Sequence, residues 1–78
     1  MANKPVFDYG KLRGRIVEKF GSQKEFSKAM NMSQATLTSK LTGLTYFSQG
    51  EILRAESLLC IDPGSITAYF FTPKVEKT

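Results

Sequence analysis

Gln34, Ala35, Thr38, Ser39 and Thr42 carry the functional groups that read DNA base edges. A glutamine amide pairs with adenine, Ser and Thr hydroxyls bond either base, and Ala and Thr methyls touch the thymine methyl. If Leu37 marks the inner face of a helix turning about 100° per residue, Leu41 falls on the same side. Ala35, Thr38, Ser39 and Thr42 then fall on the outer side, with Gln34 at the N-terminal end between the two faces. That outer set holds no bulky hydrophobe and no acid, and Lys40 is the one charge across residues 33–41. A merely solvated helix face ordinarily mixes Lys with Glu. The face therefore suits the major groove of double-stranded DNA. Phosphates need donors beside it, and helix N-termini offer free N–H groups and a positive dipole end. Gln23, opening the preceding helix, is the first candidate anchor. Lys24, Ser33, Lys40 and Thr42 flank the same surface, although a lone Lys is as readily a solvated charge.

Capping and breaking signals set out the elements that must position this face. Helix one is expected over residues 9–20 with Asp8 as its N-cap. Its apolar positions are Tyr9, Leu12, Ile16, Val17 and Phe20, and Lys11, Arg15 and Lys19 form a basic stripe four residues apart. Gly21 ends it, and Ser22 to Glu25 reads as a capping box for helix two. Phe26, Ala29 and Met30 form the inner face of that helix. Asn31 suits a turn residue with positive φ. Met32 enters the core, Ser33 caps helix three, and Gly43 stops it. After a loop at 44–47, Ser48 to Glu51 is a second capping box. Helix four carries Ile52, Leu53, Ala55, Leu58 and Leu59 to about Cys60. Asp62-Pro63 opens a short fifth helix ending near Phe70 or Phe71. The fold class is all-α: a compact bundle of about five short helices containing a helix-turn-helix. Residues 1–7 read as a flexible arm, 8–72 as the domain and 73–78 as a flexible tail.

The chain of 78 residues has 41% hydrophobic residues, 11 Lys plus Arg against 7 acids, and a net charge of +4. A moderately basic balance admits a nucleic-acid partner without requiring one. The chain has no His, and Cys60 is its single cysteine. Cys60 lies between Leu59 and Ile61 and reads as a small buried apolar residue. No His is present to activate it as a nucleophile, and no Cys/His cluster is present to hold zinc. No catalytic residue, metal, cofactor or small-molecule substrate is implied, and an enzyme is not expected. No stretch of about 20 apolar residues is available to cross a membrane, so a cytoplasmic protein is expected.

Residues 23–43, QKEFSKAMNMSQATLTSKLTG, closely resemble the helix-turn-helix of lambda-type phage repressors and Cro proteins. The pattern places Gln at Gln23, a hydrophobe and a small residue at Phe26 and Ser27, and Asn at Asn31. It continues with Met32 and Ser33, a branched core residue at Leu37, then Leu41 and Gly43. The resemblance implies that Gln34 reads a base while Gln23 braces it and contacts phosphate. Ser27 stands where the family usually has Ala, and its hydroxyl needs a backbone acceptor. Ala35 can contribute only apolar contact. The whole chain more loosely resembles small regulators of phages with Gram-positive hosts, through its aromatic segment at 69–73.

One recognition helix covers few base pairs, so a homodimer on operator DNA is expected. The candidate contact region is Ile66, Tyr69, Phe70, Phe71 and Val75. Consecutive aromatics at 69–71 cannot all face one core from a helix. Phe70 and Ile66 suit the core, leaving Tyr69 and Phe71 either as ordinary part-exposed surface or as a dimer or partner patch. Tyr46 and Phe47 either join that patch or shield the core. Two functions follow. One is a Cro-like repressor. The other is a protein-interaction module that modulates another phage regulator and binds DNA little by itself.

Overall fold

Each helix of the domain begins and ends where its local chemistry permits. The computed structural model describes residues 7–74. They form α1 (Gly10–Phe20), α2 (Gln23–Ala29), α3 (Gln34–Leu41), α4 (Gln49–Leu59) and α5 (Ile66–Phe70), with a 3-10 turn at Pro63–Ser65 leading into α5. Asp8 is not the N-cap of α1: Tyr9 takes that place without a side-chain cap, and the Asp8 carboxylate, one residue further out, accepts the Gly10 amide at 2.8 Å. Ser22, Ser33 and Ser48 each accept the amide three residues on, as their spacing predicts. The box at Ser48 is complete, because Glu51 reaches back to the Ser48 amide at 2.8 Å. The box at Ser22 is half formed, because the Glu25 carboxylate turns to Lys28 instead. Gly21 and Gly43 leave their helices with φ of 83° and 91°, a region costly for side chains with a Cβ.

Helix α1 lies at the centre, packed on α2, α4 and α5, while α3 rests on α2. Leu12, Ile16, Phe26, Leu37, Leu59 and Phe70 are fully enclosed, with Tyr9, Met30, Leu41, Phe47, Ala55 and Ile61 around them. Edge-to-face rings continue this core: Tyr9 on Phe47 at 5.6 Å and Phe47 on Phe70 at 5.5 Å. This is the favoured aromatic geometry. The two chain ends meet here, since Phe7 bridges Pro73 and the Asp8 amide donates to the Thr72 carbonyl at 2.7 Å. Phe7 and Pro73, placed by the sequence in the arm and the tail, are therefore tied together. The rest of the expected arm, and the tail from Val75, lie outside the described residues.

Three expectations need correction. Val17 and Leu53, counted among the periodic apolar residues of their helices, are 53% and 61% exposed. Val17 stands about 100° past Ile16, beyond the stripe that the neighbouring helices cover. On α4 the buried residues are Ala55 and Leu59, and Leu53 projects from the far side. Cys60 is exposed rather than buried. It adopts the left-handed conformation at φ 54°, ψ 44°, while the Ile61 amide returns to the Glu56 carbonyl at 2.9 Å. This is a helix-terminating motif that usually selects Gly. It sends Ile61, not Cys60, into the core. Cys60→Gly should stabilise the fold by about 0.5–1 kcal/mol, seen as a raised thermal midpoint; an unchanged or lower midpoint would deny the strain.

Candidate interaction site

The polar face of α3 is positioned by the turn before it. Asn31 takes φ 58°, and the Met32 amide donates to the Ser27 carbonyl at 3.0 Å. Ser27 is buried, and its hydroxyl donates to the Lys24 carbonyl at 2.7 Å. That bond supplies the acceptor this departure from alanine requires. Ser33 caps the Thr36 amide at 3.0 Å. Leu37 and Leu41 then point inward, so Gln34, Ala35, Thr38 and Thr42 are exposed and Ser39 is half-buried. Ser33 and Lys24 are exposed and Gln23 is half-buried at the start of α2. The Thr42 hydroxyl is folded back onto the Thr38 carbonyl at 2.8 Å, which occupies its donor.

Lys40 departs from its expected place beside the groove. Its side chain is only 12% exposed, and its Nζ lies 3.1 Å from Glu51 Oε1 and 3.0 Å from the Tyr46 carbonyl. It clamps α3 to the cap of α4. Burial by itself would raise the Glu51 carboxyl, but the Ser48 amide and Lys40 outweigh it and hold that group below the usual carboxylate range. A lowered folded value stabilises the fold above the unfolded value of about 4.3 and loses that contribution as pH falls through the folded value. Thermal midpoints of the wild type should therefore exceed those of Glu51→Gln at neutral pH, with the gap closing as pH falls through the folded value. A difference independent of pH would contradict this.

Other cations are also engaged within the fold. Arg15 donates to the Leu59 and Cys60 carbonyls at 2.9 and 3.2 Å, matching positive charge to the C-terminal end of α4. Arg13 donates to the Leu41 carbonyl at 3.0 Å and so closes the end of α3. Arg54 grips the Ala29 carbonyl through two nitrogens. Lys11 lies 5.0 Å over the Tyr69 ring. The stripe of Lys11, Arg15 and Lys19 thus runs along α4 and α5 in its first two members, away from the outer face of α3.

A second feature is an aromatic cleft of about 260 Å³, lined by Phe7, Tyr9, Tyr46, Phe47, Ile52, Phe70 and Phe71. Phe7 touches Tyr46 at 6.1 Å and Phe71 at 5.7 Å between ring centres. Burial first, and then the neighbouring Tyr46, push the Tyr9 hydroxyl above the ordinary tyrosine range. The expected patch of Tyr69 and Phe71 is divided: Phe71 joins the cleft, while Tyr69 packs toward Lys11. Phe47 shields the core and Tyr46 joins the rim. Phe7 was missed, although an aromatic in a segment read as an arm was a signal. Among the described residues no group of three potential ligands could hold a metal, and no helix is long and apolar enough to cross a membrane.

The chain is similar to a solved structure described as the modulator of repression (MOR) of the temperate bacteriophage TP901-1 from Lactococcus lactis. The two share 39% sequence identity with a TM-score of 0.77, over 91% of this chain and 96% of that one. No curated protein matches the chain. Residues 5–73 match one family throughout the helical domain, so the chain belongs to the family described as a protein of unknown function, DUF739.

Proposed function

We propose that this protein is a non-catalytic phage regulator that modulates repression by binding a phage repressor, rather than by holding operator DNA alone. The observation that carries the reading is its similarity, along nearly its whole length, to a modulator of repression. The electrostatics support it. Phosphate contacts supply essentially all non-specific DNA affinity and much of the specific affinity. The one cation on α3, Lys40, is paired with Glu51, and Arg15 and Arg54 reach back to the ends of α4 and α2 rather than toward the outer face of α3. No unpaired cation therefore stands on α3 itself.

Direct operator binding by a homodimer is the second reading, favoured by the exposure of Gln34, Ala35 and Thr38 on α3. In it Gln34 reads a base, Gln23 and Lys24 meet phosphate, and the lambda-type resemblance of residues 23–43 extends to function. Gel shifts on the DNA flanking the gene separate the two. The protein alone should give only weak, sequence-blind, salt-sensitive binding, the same in Gln34→Ala. Mixed with the repressor of the same phage, it should form a protein complex and change the repressor's own shift. A specific DNA complex formed by the protein alone and lost in Gln34→Ala would overturn the proposal.

A further inference from the structure

We propose that the aromatic cleft takes one large apolar side chain of a partner protein, and that Arg13 and Lys74 beside it take a carboxylate from the same segment. The inference rests on the proposed function, the partner being the repressor that this protein modulates. Phe7, Tyr46 and Phe71 form the rim over Phe47 and Phe70. Tyr46 and Phe71 are 40% and 43% exposed, and Leu44, in the same α3–α4 loop as Tyr46, is 72% exposed. A cleft of about 260 Å³ admits a side chain, not a helix. Central pockets filled by one apolar anchor concentrate binding energy at protein interfaces.

The charge beside the cleft selects the rest of the ligand. Phe7 and Tyr9 also border a polar cavity of about 330 Å³ that Arg13, Lys74, Thr42 and Asp8 line. The Asp8 carboxylate is held by the Gly10 amide. Arg13 spends one nitrogen on the Leu41 carbonyl. Neither Arg13 nor Lys74 has an ion-pair partner among the described residues. An apolar slot next to a cavity where two cations, Arg13 and Lys74, face one carboxylate, Asp8, complements a hydrophobe with Asp or Glu close by. A second copy docked by two-fold symmetry would set this basic rim against itself, because such contacts place the same patch on both subunits. Like charges so placed oppose association.

Calorimetric titration against the purified repressor of the same phage tests this, with Phe71→Ser, Lys74→Glu and the matched charge reversal Lys19→Glu. Phe71→Ser and Lys74→Glu should each weaken the complex by about tenfold or more. Lys19→Glu should stay within about twofold of wild type, as expected for an exposed charge outside the contact. Thermal midpoints should show all three variants folded. If wild type binds the repressor but Lys74→Glu and Phe71→Ser bind as tightly, the cleft is not the site, and the proposed function survives. If wild type does not bind the repressor at all, the proposed function falls and this inference with it. Self-association of the wild type that these two variants abolish would make a second copy the occupant and overturn the proposal.

Discussion

Phe70→Ala should lower the thermal midpoint by roughly 12–40 °C, because a buried Phe→Ala change costs about 3–5 kcal/mol and small domains shift by about 4–8 °C per kcal/mol. Phe70 is 1% exposed on a helix of five residues. So short a helix has almost no stability of its own and depends on packing. The ring meets Phe47 edge-to-face at 5.5 Å, and Phe47 meets Tyr9 in the same way. Truncation therefore leaves a void beneath the aromatic cleft and releases α5 from α1. Total stabilities of about 5–15 kcal/mol leave a chain of 78 residues little reserve. Circular dichroism melts of wild type, Phe70→Ala and Phe71→Ala provide the check. Phe71, part-exposed at the rim, should cost much less. A similar fall in both variants would show that α5 is held by its whole surface rather than by one inward ring.

Leu37→Ala should cost about 2–5 kcal/mol, whereas Gln34→Ala should stay within about 0.5 kcal/mol. Leu37 is wholly enclosed, while Gln34 stands in solvent three residues earlier on the same helix. The pair separates what seats α3 from what α3 presents. Urea unfolding should show a lower midpoint for Leu37→Ala with an unchanged slope, and wild-type behaviour for Gln34→Ala. A large loss in Gln34→Ala would mean that the polar face is structural, and any loss of binding in that variant would then be uninformative.

Signals confined to a few consecutive residues were legible in the sequence. Ser33 and Ser48 cap because a serine oxygen reaches an amide three residues on, and Asn31 turns because its side chain tolerates positive φ. Leu37 and Leu41 face inward because helical repeat alone puts them on one side. The outer face of α3 follows from the same geometry, which leaves Ala35, Thr38 and Thr42 exposed and Ser39 half-buried. Cys60 shows the limit of such reasoning. Its apolar neighbours suggested burial, but the end of α4 required a left-handed residue there, and the next residue, Ile61, took the core position.

By itself the sequence determined five short helices, the serine caps of α2, α3 and α4, the turn at Asn31 and the polar side of α3, since each depends on interactions within about four residues. Only the tertiary structure decided where the charges and the outlying rings go. Arg15 meets the Leu59 carbonyl across 44 positions and Arg13 the Leu41 carbonyl across 28. Lys40 is drawn to Glu51 on another helix, and Phe7 closes a cleft with Tyr46 and Phe71. A long cation or an aromatic ring can satisfy itself on many surfaces. Which surface comes within reach is settled only when the helices pack.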